Sequence, residues 1–229
     1  MKTKTKQLLK LGAHLGHTTS RWNPSMAPHI YGASQGFHII DVIQTQACLT
    51  QAKQFLANAV NQDWTVLFVG TNIQIPTILP QIIGPSGAFY INQRWLGGLL
   101  TNWKTLQQSV YTLRLMKFVQ SRNQIERLPK KRRATFMRDY ARLSKYLDGV
   151  SEMRVTPDVV VIINQQEEQN TIRECMRMNL RTLTLLDTDS NKAMADLFIP
   201  ISDDSTHSVP MLLSELANAI KLGYHWKKN

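Results

Sequence analysis

Four groups of residues could do chemistry. The first lies in GAHLGHTTSRWNPSMAPHIYG (12–32). His14 and His17 stand three positions apart, a spacing that makes a weak metal motif when no carboxylates lie beside it. The expected roles are hydrogen-bonded histidines in an N-terminal helix, or imidazoles meeting phosphate. Arg21, Trp22 and His29 add cationic and aromatic side chains. The Asn23-Pro24 and Ala27-Pro28 steps predict an extended, turning arm, and such a mixture suits RNA backbone and splayed bases. The second group is NQRWLGGLLTNWKT (92–105). Arg94 offers a planar fork to phosphate, and Lys104 lies just beyond. Gly97-Gly98 either lets backbone N–H groups approach an anion or makes a tight turn. Trp95 and Trp103 are expected as packing anchors, stacking surfaces being the alternative.

The third group is LPKKRRATFMRDYARLSKY (128–146). Lys130, Lys131, Arg132 and Arg133 are followed at helical spacing by Arg138, Arg142 and Lys145, with Asp139 the only acid. So one-sided a stripe reads as phosphate-binding rather than as an ordinary solvated face. The fourth is acidic. Asp187 and Asp189 follow one predicted strand, Asp203 and Asp204 the next. In a parallel sheet these ends share an edge, where with His17 they could hold a divalent ion. Caps and turn residues are the expected reading, and no metal is expected.

Enzyme signatures are missing. The apolar run TVLFVG leads into TNIQIP, without a glycine-rich dinucleotide loop or a Walker lysine, and no Gly-x-Ser-x-Gly elbow occurs. Cys48 and Cys175 fit no metal spacing and are expected as reduced, buried thiols of a reducing compartment. No catalytic residue and no cofactor are expected. No run reaches the length needed to span a bilayer and no signal peptide is recognisable, so a soluble protein without a membrane partner is expected. The net charge of +11 and pI near 9.8 point to a polyanionic partner. Residues 102–149 hold 12 Lys/Arg against 3 Asp/Glu, so this one stretch supplies most of the excess.

These groups need elements to position them. TVLFVG (65–70) and VVVIIN (159–164) are continuously apolar and β-branched, as in strands buried on both faces. AFYIN (88–92), TLTLLD (182–187) and LFIPI (197–201) are further strands, the last an edge strand because of Pro200. Helical periodicity marks residues 45–60, 166–178 and 209–222. Alternating strands and helices predict a three-layer α/β/α body with a parallel five-stranded sheet. The basic middle breaks the rhythm. Leu106, Val110 and Leu113 share one helical face, and Phe136, Tyr140, Leu143 and Leu147 follow a 4-3-4 seam. Residues 102–148 are therefore expected as an inserted basic coiled-coil hairpin, linked around Pro129 and KKRR. The body takes residues 1–101 and 149–229, its N-terminal arm residues 1–40.

GAHLGHTTSRWNPSMAPHIYG, INQRWLGGLLTNWKT and TPDVVVIINQQEE, in this order and spacing, resemble the bacterial and organellar ribosomal protein S2 family, and LLDTDS and IPISDD extend the match. The resemblance covers about residues 5–225. It implies a flavodoxin-like domain with an inserted coiled-coil hairpin and no catalytic activity. The implied partners are small-subunit ribosomal RNA, neighbouring ribosomal proteins and, in bacteria, the mRNA-binding protein S1. DTDSNKAMAD lacks the proline usual in the family, and Ser202 replaces the usual asparagine of the IPxNDD motif. Both departures weaken inferences about the acidic edge. QQEE before TIREC, and RLPKK, look like plastid-encoded members. The resemblance thus implies ribosomes of the plastid stroma, with a mitochondrial matrix or bacterial cytoplasm as alternatives. An RNA-modifying or nucleotide-using enzyme on a Rossmann-like sheet is the competing reading, and a basic protein–protein adaptor a third.

Overall fold

The structure, a computed structural model, describes residues 2–72, 75–122, 124–127 and 129–228. Helix α1 (Lys2–Lys10) leads through Gly12, at φ +77°, into strand β1 (Leu15–Thr18). Strands β2 (Ile30–Ser34) and β3 (Phe37–Ile40) complete a small antiparallel sheet of order β1-β3-β2. Gln35 and Gly36 turn between β2 and β3 with φ of 51° and 82°, the pair of positive values that a tight two-residue hairpin requires. This sheet corrects two expectations. His17 sits on a strand, not in an N-terminal helix. Pro24–His29 forms a 3-10 helix rather than extended chain. The Asn23 side chain caps that helix by accepting from Ser25 N, and Pro24 supplies the preset φ of a first helical position.

Then follow helix α2 (Val42–Asn61), strand β4 (Val66–Val69), helix α3 (Ile78–Ile83) and strand β5 (Phe89–Ile91). Helices α4 (Trp103–Ser121) and α5 (Lys130–Leu147) come next and pack on each other. Strand β6 (Val159–Ile163), helix α6 (Gln169–Met178), strands β7 (Arg181–Leu186) and β8 (Leu197–Pro200), and helix α7 (Ser208–Lys228) complete the chain. All five strands predicted from the apolar runs are present. They form one parallel sheet of order β5-β4-β6-β7-β8, the order of flavodoxin-like folds. β8 is an edge strand, where the missing N–H of Pro200 costs no ladder bond.

The strands are apolar throughout because both faces are covered. Val66, Phe68, Val161, Ile163 and Leu185 point into a core closed by α1, α2, α3 and α7, through residues such as Leu8, Leu56, Leu79 and Leu216. Their neighbours Leu67, Val69, Val160 and Ile162 point the other way, onto Trp95, Leu99, Trp103, Val110, Leu113, Leu147 and Ile172. Each large aliphatic side chain buried in this way contributes about 1.5–3 kcal/mol. The body-facing ends of α4 and α5 thus lie in the second core. Gly149, just past α5, presses on β5 so closely that a Cβ there would lie 2.2 Å from the Tyr90 carbonyl oxygen. KKRR is not the link between the helices. Lys130–Arg133 is the first turn of α5, with Pro129 at its N-cap.

Candidate nucleic-acid interface

The loop RWLGGLLTNW joins β5 to α4. Trp95, Leu99, Leu100 and Trp103 are buried, while Arg94 and Lys104 are exposed. The loop does gather backbone N–H groups around an anion, and the anion belongs to the protein. Glu174, buried on α6, accepts at Oε1 from Trp95 Nε1 (2.9 Å) and Gly98 N (2.7 Å). Its Oε2 accepts from Leu100 N (3.0 Å), Thr101 N (3.2 Å) and Thr101 Oγ1 (3.3 Å). Gly98 holds φ +84°, which a side chain would strain. Burial pushes the Glu174 carboxyl up, but the donors from Trp95, Gly98, Leu100 and Thr101 together hold it below the usual carboxylate range. The sequence offered no sign of this, because Glu174 in TIREC reads as one more helical acid.

Beyond the loop the cations divide. Arg114 and Lys117 on α4 turn inward. Arg114 donates to the Ser151 and Met153 carbonyls, and Lys117 pairs with Asp148 (2.6 Å) and donates to Ser151 Oγ (2.9 Å). They tie α4 to the segment after α5. On α5, Lys130, Lys131, Arg132, Arg133, Arg138, Arg142 and Lys145 are all exposed. Arg142 pairs with Asp139 (3.5 Å), within the same helix. Phe136, Tyr140, Leu143 and Leu147 are the partly or fully buried side of α5. The cationic side is what remains.

The N-terminal arm forms a second surface. An open cleft between its sheet and the C-terminal edge of the main sheet is lined by His14, His17, Arg21, His38, Asp187 and Asp204, among others. Arg21 is exposed, and the Trp22 ring lies 5.1 Å from that of His38. His29 is placed differently. Its Nδ1 lies 2.5 Å from Gln44 Oε1, and its ring meets Phe198 edge-on, 5.1 Å between centroids. Burial lowers its pKa below the usual histidine value, so its ring is a neutral tie between arm and body near neutral pH.

At the acidic edge Asp187 accepts from Thr188 N and, at Oδ2, from Asp203 N (3.3 Å), as a turn residue does, and it also lies beside His17. His17 Nδ1 lies 3.2 Å from Asp187 Oδ2, and His17 Nε2 lies 3.5 Å from Asp204 Oδ2. The hydrogen bond to Asp187 raises the His17 pKa to about 9 against the opposing effect of burial. Asp203 is pushed up to about 8 by burial first, then by the Asp187 and Asp204 carboxylates. One ligand atom each from His17, Asp187 and Asp203 fall within 4.8 Å of one another, and the buried Asp203 Oδ1 has no hydrogen-bond partner among the described residues. A nitrogen and carboxylate oxygens so placed fit a divalent cation. Asp189 stays outside the trio and accepts from Ser190 Oγ (3.1 Å).

A doubly wound sheet would take a nucleotide at its switch point, here between β4 and β6. Glu168 there accepts from Thr71 N (3.0 Å) and Thr171 Oγ1 (2.8 Å).

The family model for ribosomal protein S2 matches residues 8–223. The chain belongs to the ribosomal protein S2 family. The small ribosomal subunit protein uS2 of Synechococcus sp. (strain JA-2-3B'a(2-13)) is 41% identical over 219 residues, covering 96% of this chain and 83% of the relative. The uS2c proteins of Oltmannsiellopsis viridis and Cyanophora paradoxa are 42% and 41% identical, covering 97% and 96% of this chain and 94% and 95% of their own lengths. Ser202 is buried, and its N–H donates to Ala13 O (3.2 Å), bonding the chain before Asp203 to the segment before β1.

Proposed function

We propose that this S2-family chain is a structural protein of a small ribosomal subunit of plastid or bacterial type. It meets ribosomal RNA through a basic coiled-coil hairpin, residues 102–148, carried by an α/β body of residues 1–101 and 149–229. The observation that carries this is the exposed face of α5, where seven cations stand on a helix with a single acid. Phosphate neutralisation is what such a face does best. Lys130, Lys131, Arg132, Arg133, Arg138, Arg142 and Lys145 are the principal contacts. Arg94 and Lys104 extend the surface toward the body, and Arg21 and Trp22 offer a second contact at the arm, with His29 bracing it. The body presents its remaining surface to neighbouring ribosomal proteins, and the arm cleft to S1 where that protein is present. Ribosomes of the plastid stroma are the location we infer, the uS2c relatives supporting a plastid-type ribosome beside the bacterial type of the cyanobacterial ones.

Co-sedimentation with small subunits at moderate salt, followed by mapping of protected RNA nucleotides, tests the assignment. Stable co-migration with protections that Lys130–Arg133 substitution removes is expected. A protein that stays at the top of the gradient would overturn the reading. An enzyme on this sheet has no support from the relatives.

A further inference from the structure

We propose that Glu174 is the positioning residue of the RNA-binding arm: its carboxylate on α6 closes the loop from Arg94 to Trp103 and so sets the direction in which α4 and α5 leave the body. The inference rests on reading that arm as the RNA-binding element, and it extends that reading to a residue with no RNA-facing role of its own.

Three observations carry it. All five donors to the carboxylate come from the one loop that connects β5 to α4, and four of them lie within Gly98–Thr101, immediately before the helix. Helix α4 has no side-chain cap to fix its own start, because Asn102 Oδ1 accepts from Thr105 Oγ1 instead. Glu174 itself stands on a rigid support, since its neighbours Ile172 and Cys175 are buried in the core shared with Trp95, Trp103, Val110 and Leu147. The loop is therefore held by a fixed charge on a different element, 73 to 79 residues away in sequence. A hydrophobic contact could slide. A carboxylate receiving at least two donors on each oxygen fixes both position and orientation.

Glu174→Gln isolates this function, because it preserves shape and volume but leaves one acceptor oxygen. Whichever way the amide turns, two or three loop donors face an NH2 group. Amide exchange at Gly98, Leu100 and Thr101 is expected to rise roughly ten- to hundredfold, the loss of hydrogen bonds to a charged group. Val160 and Ile162 in β6 should keep their protection. In a Cys48→Ser background, spin labels at Arg138→Cys and Lys221→Cys report the arm's direction. A narrow distance distribution in the parent should broaden with Glu174→Gln, and affinity for small-subunit RNA should fall. If the distribution stays narrow while the loop amides open, or RNA affinity is unchanged, the proposal is overturned while the RNA-binding reading stands. If instead the alanine variant of Lys130–Arg133 binds RNA normally, the RNA-binding reading itself fails. Should Glu174→Gln not fold, Trp95→Phe with Thr101→Val removes both side-chain donors and keeps the charge. Exchange at Gly98 and Leu100 must then rise, and unchanged exchange overturns the proposal.

Discussion

Replacing Lys130, Lys131, Arg132 and Arg133 together by alanine separates two effects of opposite sign. These four residues form the first turn of α5, which has no acidic residue there and no side-chain cap. The N-terminal end of a helix is its positive pole, so cations in that turn are unfavourable by about 0.3–1 kcal/mol each before screening. All four are exposed, and solvent and salt reduce the sum, so the variant should be more stable than its parent by on the order of 1 kcal/mol. RNA binding should move the other way. Every phosphate left without its cation reduces the steepness of log K against log salt by about 0.7–0.9, so removing all four cations reduces it by roughly 3. Between about 50 and 200 mM salt, that difference amounts to a factor of roughly 60 in relative affinity. Filter binding to small-subunit RNA across a salt series, with thermal melting of the same samples, reads both quantities. An unchanged salt slope, or a variant that melts below the parent, would refute the claim that these cations are kept for RNA at the expense of the helix.

Gly149→Ala should destabilise the junction of α5 with β5, because its Cβ would meet the Tyr90 carbonyl oxygen at 2.2 Å and the Tyr90 ring at 2.4 Å. Overpacking of about 1–3 kcal/mol predicts a melting point lower by roughly 2–12 °C, and an unchanged melt would show that β5 yields freely. In chelator-treated protein, stability should fall as pH rises. His17 has a folded value of about 9, above its ordinary 6.5, so its contribution is complete below about 6.5 and lost through about 9. Asp203, raised from its ordinary 3.8 to about 8, contributes fully only below about 3.8 and has lost that contribution by about 8, so both effects lower stability as pH rises. Solvent at the His17 ring limits its part to on the order of 1 kcal/mol, and stability flat from pH 6 to 9 would contradict the ion-pair geometry. Zn2+ or Mn2+ should raise the melting point of the parent but not of His17→Ala, more at higher pH because the ligands must shed protons. Equal shifts in both proteins would place the ion elsewhere.

The sheet was legible because its five strands are short apolar runs buried on both faces, with Pro200 marking the edge. Helices α4 and α5 were legible from Val110, Leu113, Tyr140 and Leu147, whose spacing survives as buried or partly buried positions. The arm's sheet was not. A strand such as LGHT is only four residues long and largely polar, and its hairpin turns on Gln-Gly rather than on the stronger Asn-Gly signal. KKRR was misplaced because a cation run without apolar spacing looks like a connection, whereas Pro129 just before it is a good helix start. The His17–Asp187–Asp203 cluster was half visible: the shared sheet edge followed from topology, but which acids join His17 depends on loop paths after β7 and β8. Glu174 was invisible, since a single acid on a helix carries no mark of five donors arriving from elsewhere.

The connection from β5 to β6 has a consequence for how the protein is made. β6 lies in the middle of the sheet, between β4 and β7, yet it is synthesised after the whole basic arm. When α4 and α5 emerge, β4 has β5 on one side and nothing on the other, and the apolar residues Trp103, Val110 and Leu113 have only part of their eventual core. Contacts this distant in sequence close late in folding. The charged segment is therefore available to RNA before the scaffold that aims it is complete, so a polyanion present during synthesis can act on the folding intermediate as well as on the finished protein.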